Sequence, residues 1–153
     1  MQARLNYVKA SPATYQGLLA LQALVDKSEL DKPLLELVKI RASQINKCAF
    51  CLHMHTRDAR KAGVSEERIY LLEAWRESAL YTVRERAALA WTEALTLLPV
   101  TGAPDDVYAQ VAAQFSEPEI VGLTLAIGAI NLWNRFGVGF RLVHTHKAPL
   151  VEA

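Results

Sequence analysis

The sequence holds only two cysteines among 153 residues, and that scarcity excludes a disulfide-dense secreted scaffold. An excess of charge of one sign is also missing. Seventeen Lys and Arg stand against 16 Asp and Glu, giving a net charge of +1, so no long-range field attracts nucleic acid or an anionic membrane. No apolar run is long enough to span a bilayer: the longest uncharged stretch, 120–134, has 15 residues, and a span needs roughly 18. At the N-terminus Arg4, Asn6 and Lys9 interrupt anything like a signal-peptide core. The expectation is a cytoplasmic protein with no nucleic-acid or membrane partner. Repeats, low-complexity tracts and linkers are absent, as is the period-2 alternation of a strand. The apolar fraction is 52%, which argues against disorder and suffices for the core of one domain over 1–153.

What remains reads almost entirely as helix. Ser11-Pro12 is an N-cap with Pro at the first helical position, and Asp31-Lys-Pro33 opens a second helix with Leu35, Val38, Ala42 and Ile45 on one face. Asn46 is placed to end that helix and cap the next, which carries the cysteines and stops at Gly63. Ser65-Glu-Glu starts another. Thr82-x-x-Glu85 and Ser116-x-x-Glu119 match the capping box, the first opening a helix to about Pro99. Pro104-Asp-Asp starts a shorter one. The expected fold class is all-α, with about seven or eight helices. The segment 119–133 is apolar on nearly every side, which predicts a place at the domain centre, in a subunit interface, or both.

The two cysteines are three residues apart, at Cys48 and Cys51, with His55 four residues further on. On a helix these three share one stripe, within about 60° of one another, while His53 lies about 160° from Cys51 on a solvated face. A thiol in the first turn of a helix lies at the positive end of the helix dipole, which lowers its pKa from about 8.5 towards neutrality. His55 is spaced to accept a proton from Cys51. Cysteines three apart can also close a disulfide, so attack on an oxidant followed by resolution makes a complete two-electron cycle. Two other readings stay open on spacing alone. One is a zinc site built from Cys48, Cys51, His55 and a fourth ligand such as His144 or His146; the other is a pair of thiols that merely pack. Glu36 is ambiguous here, since a Glu near the start of a helix is commonplace.

Glu36, then eleven residues, then Cys48-x-x-Cys51-x-x-x-His55 resembles the core motif of the alkylhydroperoxidase AhpD-like proteins of the carboxymuconolactone decarboxylase superfamily. Ile40-Arg-Ala-Ser before the motif, Asp58-Ala-Arg-Lys-Ala-Gly63-Val-Ser after it, and Ile130-Asn-Leu-Trp-Asn-Arg135 extend the resemblance over roughly 15–140. It implies an all-helical fold assembling as trimers or hexamers. It further implies a peroxidase in which Cys51 attacks the hydroperoxide, Cys48 resolves, and His55 and Glu36 relay protons. The implied partners are a hydroperoxide substrate and a thiol or dithiol reductant, with no cofactor and no metal. Where the best-known AhpD proteins have a histidine immediately before the second cysteine, this chain has Phe50. One proton carrier fewer predicts slower thiolate formation. The decarboxylase branch lacks the cysteine pair, so muconolactone chemistry is not expected. A general disulfide oxidoreductase or redox sensor is the alternative use of the same pair.

Overall fold

A computed structural model describes residues 2–144, and among these every regular element is helical. Nine α-helices follow in order: α1 (Tyr7–Ala10), α2 (Pro12–Asp26), α3 (Lys32–Ile45), α4 (Ala49–Lys61), α5 (Glu66–Tyr70), α6 (Val83–Thr96), α7 (Leu98–Thr101), α8 (Asp105–Ala112) and α9 (Glu117–Gly139). A 3₁₀ segment, Leu71–Glu77, follows α5 and is kinked at Ala74. The count exceeds the expected seven or eight because α1, α5 and α7 are single turns.

Local signals account for most of the starts. Pro12 is the first residue of α2 and Pro33 the second of α3, both in the first turn where the missing N–H costs nothing. Both capping boxes form, Thr82 with Glu85 and Ser116 with Glu119. Gly63, at φ +89°, takes the turn after α4 that disfavours an L side chain. The helix from Val83 stops at Thr96, short of Pro99. Leu97 leaves helical geometry (φ −101°, ψ 27°), and the Thr96 hydroxyl is taken by Asn131 of α9.

The centre of the fold is α3. Residues 34–40 are buried without a break, because α4, α6 and α9 all pack on this helix. Leu34, Leu37, Val38 and Ile40 are at most 2% exposed, and burial of such side chains contributes roughly 1.5–3 kcal/mol each. One core joins α3 to α6 and α9 through Leu34, Val38, Trp91, Leu123 and Ile127; a second joins Leu37 and Ile40 to Ala59, Leu72, Trp75 and Leu89. Helix α9 fulfils the central role expected of 119–133, but not on every side. Leu123, Ala126, Ile127 and Ile130 face inward, and Val121 stands 69% exposed. No helix among the described residues is long and apolar enough to cross a membrane.

A candidate redox site at the start of helix α4

A tight turn brings the chain from α3 into α4. Asn46 ends α3, Lys47 takes a left-handed φ of +56°, and Cys48 is the N-cap of α4. The expectation that Asn46 caps α4 is therefore corrected. Its side chain turns the other way, and its amide donates to Asn131 Oδ1 and Asn134 Oδ1, both at 2.9 Å. That pairing fastens the turn to α9. Asn134 is 1% exposed and in turn donates to the Ser43 hydroxyl at 3.0 Å.

With the N-cap position occupied by a cysteine, the capping acceptor is sulfur. The Cys51 backbone N–H donates to Cys48 Sγ at 3.4 Å. Both cysteines are free thiols and both are buried, Cys48 at 1% and Cys51 at 3% exposure. Their acidities diverge. The Cys48 thiol is drawn down to about 7, chiefly by the Cys51 S–H that donates to it; burial opposes this, while the Cys51 N–H, the Asn134 side chain and the Phe50 N–H assist. The Cys51 thiol is pushed up because its proton is held by Cys48, with burial and the Cys48 charge acting in the same direction. Negative charge in the reduced pair thus collects on Cys48.

His55 and Glu36 complete the group from two helices. His55 Nδ1 lies 2.9 Å from Glu36 Oε2, and Lys39 Nζ donates to Glu36 Oε1 at 2.9 Å. Burial works to raise the Glu36 carboxyl, but the His55 hydrogen bond and the Lys39 charge outweigh it, so the group lies below the ordinary carboxylate range. All four residues singled out in the sequence therefore meet at one place. Among the described residues, Glu36 is the hydrogen-bond partner of the His55 ring, and no direct His55–Cys51 bond is made.

Cys51, His55, Glu36 and Lys39 open onto a cavity of about 630 Å³, and Cys48 is not part of its lining. Its walls are largely apolar and aromatic, with Tyr7, Tyr15, Phe50 and Trp133 contributing rings. The Tyr7 ring is held edge-on by Phe136 at 5.0 Å and stacked on Phe140 at 5.8 Å. Phe50 and Trp133 each pack against the cluster that holds the thiols. His53 is exposed, as its helical phase requires, and stacks on His144 with ring centroids 4.7 Å apart. Among the described residues no group of three or more His, Cys, Asp or Glu is arranged to hold a metal ion. His55 is engaged with Glu36, and His146 lies outside the described residues.

Three participants were not apparent from the motif. Lys39 is one and Asn134 another. The third is Gly137, where an added Cβ would sit 2.6 Å from Cys48 Sγ and 3.4 Å from Cys51 Sγ, so α9 passes against the sulfurs with only backbone between. A sequence signal for two of them exists. Asn131, Asn134 and Gly137 recur every three residues on a largely apolar helix, marking one polar and narrow face.

Comparison with known proteins agrees with this arrangement. The carboxymuconolactone decarboxylase family model matches residues 12–94. The uncharacterised protein YdfG of Bacillus subtilis (strain 168) is 41% identical over 138 residues, 90% of this chain and 94% of that protein. YnjA of Escherichia coli (strain K12), also uncharacterised, is 32% identical over 110 residues, covering 72% of this chain and 60% of its own. Among solved structures, ATU0492 of Agrobacterium tumefaciens superposes with a TM-score of 0.93 at 49% identity, over 95% of this chain and all of that one. It is described as a protein of unknown function with a suggested AhpD antioxidant-defence role. The debrominase Bmp8 shares the fold, with a TM-score of 0.79 at 18% identity over 88% of this chain and 72% of its own. The chain belongs to the carboxymuconolactone decarboxylase family, as an AhpD-like member.

Proposed function

We propose that the protein is a thiol-dependent peroxidase that reduces organic hydroperoxides through a Cys48/Cys51 dithiol–disulfide cycle. The observation that carries this reading is the placement of Cys51 on an aromatic-walled cavity beside the Glu36–His55 pair. Cys51 passes its proton to His55 through the cavity, and the thiolate attacks the distal peroxide oxygen. The O–O bond breaks, Cys51 becomes a sulfenic acid, and the alkoxide takes the proton back to leave as alcohol. Cys48, the thiol whose ionisation is favoured, then attacks Cys51 Sγ. Hydroxide leaves with the Cys48 proton as water, and the disulfide remains. In sum, two thiols and ROOH give one disulfide, ROH and water. An external thiol or dithiol restores the pair by exchange.

Burial of both sulfurs favours this reading over exchange with the disulfide of a folded protein, which needs an exposed attacking thiol. A homo-oligomer belongs to the same proposal, with the exposed Leu97, Leu98, Val100 and Val121 as available apolar surface. The test is a count of free thiols before and after an equimolar addition of cumene hydroperoxide. Wild type is expected to lose both thiols, and Cys48→Ser to accumulate a sulfenic acid on Cys51. Thiols that persist no less than those of free cysteine would overturn the peroxidase reading.

A further inference from the structure

Helix α3 is enclosed over residues 34–40, and within that stretch stand two charged side chains, Glu36 and Lys39. Both carboxylate oxygens of Glu36 are spoken for, Oε1 by Lys39 Nζ and Oε2 by His55 Nδ1, each at 2.9 Å. Lys39 is 8% exposed and lines the same cavity as Cys51. A buried ion pair of this kind is a poor device for stability alone, since an apolar side chain of similar volume generally serves as well. Its presence on the wall of a reactive site asks for another reason.

We propose that Lys39 is a positioning residue of the peroxidase site: it clamps one oxygen of Glu36 so that the other holds His55 by Nδ1, leaving Nε2 for proton exchange. The proposal rests on the peroxidase reading only for the rate it predicts, not for the tautomer. A carboxylate held at one oxygen by an ammonium cannot rotate or take up a proton easily, so it remains an acceptor for Nδ1–H. The imidazole is thereby set in the tautomer with Nε2 free. Without the clamp, a buried carboxylate beside an imidazole captures a proton, or draws one to the ring, and in either case the base is lost.

Other charged groups around the pair do not duplicate this role. From α4, Asp58 is engaged by Lys61 at 3.2 Å, and from α2, Asp26 accepts from Gln22 at 2.8 Å. Lys32, at the start of α3, is exposed. Tyr7 from α1 and Cys51 from α4 are both shifted upward and so carry no charge near neutrality. Lys39 is therefore the buried cation that faces Glu36.

The test reads the His55 tautomer by ¹⁵N NMR in the reduced, full-length protein, alongside the rate of cumene-hydroperoxide-driven thiol loss. In wild type the proposal requires protonated Nδ1 and unprotonated Nε2 at pH 8; the opposite tautomer overturns it without any variant. Lys39→Met, close in volume, is expected to lose the single-tautomer signature, to move the Glu36 carboxyl titration upward, and to slow thiol loss by about 10- to 100-fold. Lys39→Arg is expected to restore both the tautomer and most of the rate. Unchanged tautomer and carboxyl titration in Lys39→Met would overturn the proposal, as would failure of Arg to restore them. Wild type with the expected tautomer but no response to peroxide would leave Lys39 in its role and remove the peroxidase reading instead.

Discussion

Gly137→Ala puts the smallest possible side chain where α9 passes the thiols. The new Cβ would lie 2.6 Å from Cys48 Sγ, about 1 Å inside an ordinary contact. Cys48 cannot yield freely, because its sulfur accepts the N-cap bond from the Cys51 N–H at 3.4 Å and would lose it on moving by that amount. Two energies oppose each other in stability. Overpacking costs about 1–3 kcal/mol, while replacing a Gly in the last turn of α9 by Ala returns at most about 1 kcal/mol, so the net loss is about 0–3 kcal/mol. Thiol chemistry is the more sensitive readout. At pH 7 a thiol with a midpoint of about 7 is half ionised, whereas one in the ordinary range near 8.5 is about 3% ionised, a difference of roughly 15-fold. The assay is the pH dependence of Cys48 alkylation, followed by peptide mass spectrometry. Reactivity rises with pH as the thiolate forms, so the variant's curve is expected to move to higher pH. Gly128→Ala on the same helix, where a Cβ meets nothing within 4 Å, is the control: it should gain up to about 1 kcal/mol and leave the curve in place. An unmoved curve in Gly137→Ala would show that neither the close approach nor the N-cap bond sets Cys48 acidity.

Asn134→Ala removes the donor to Ser43 and one of the two acceptors of Asn46, and is expected to cost about 1–3 kcal/mol in urea unfolding. The same change takes away a hydrogen bond that favours the Cys48 thiolate, so alkylation of Cys48 should again require higher pH. Glu36→Gln strands Lys39 without its carboxylate and is expected to cost about 3–5 kcal/mol near neutrality. Because the Glu36 carboxyl is depressed in the folded protein, its contribution is complete above the ordinary carboxylate value of 4.5 and is lost as pH falls through the lower folded value. Melting temperature measured between pH 2 and 7 should therefore show an acid limb in wild type that is diminished in the variant. Phe50→His returns a proton carrier beside the thiols and is expected to speed peroxide-driven disulfide formation at least about tenfold, read by stopped-flow loss of free thiol. No acceleration would mean that Phe50 is not what limits the cycle.

The features legible in the sequence are those whose partners lie within one helical turn or two. Pro12, Pro33 and the boxes at Thr82 and Ser116 begin helices through contacts three or four residues away. Cys51 and His55 share a face of α4 because helical phase alone brings them together, and Cys48 joins them from the N-cap position. Asn46 shows where this logic ends. Its type and position suit a cap for α4, but two acceptors on α9, 85 and 88 residues distant, outbid the local N–H groups. Lys39 was hidden for a related reason: a lysine between two apolar residues on a helix is ordinarily solvated, and only the enclosure of α3 by three other helices buries it. Gly137 shares a face of α9 with Asn131 and Asn134, but nothing in that spacing says the face meets the thiols of another helix. The contact of Glu36 with His55 came from family resemblance, since nothing in the spacing of two separate helices fixes how they pack.

The two thiols pose a choice that acidity and access answer differently. Acidity alone would make Cys48 the first nucleophile, because its thiolate is favoured by the N-cap position and by the Cys51 S–H. Access selects Cys51, which lines the cavity where Cys48 does not. A peroxidase cycle has room for both properties because it contains two nucleophilic steps. The first needs a sulfur that substrate can reach, and its high proton affinity is met by a base brought within the same cavity. The second is internal, needs no access, and runs faster when the resolving sulfur is already ionised. An acidic, enclosed Cys48 and a protonated, cavity-facing Cys51 thus fit a sequence in which Cys51 attacks and Cys48 resolves. The reverse order would ask peroxide to pass Cys51 to reach a sulfur held between the α4 backbone and Gly137. A sulfenic acid trapped on Cys48 in a Cys51→Ser variant, formed as fast as wild type loses thiols, would reverse that order.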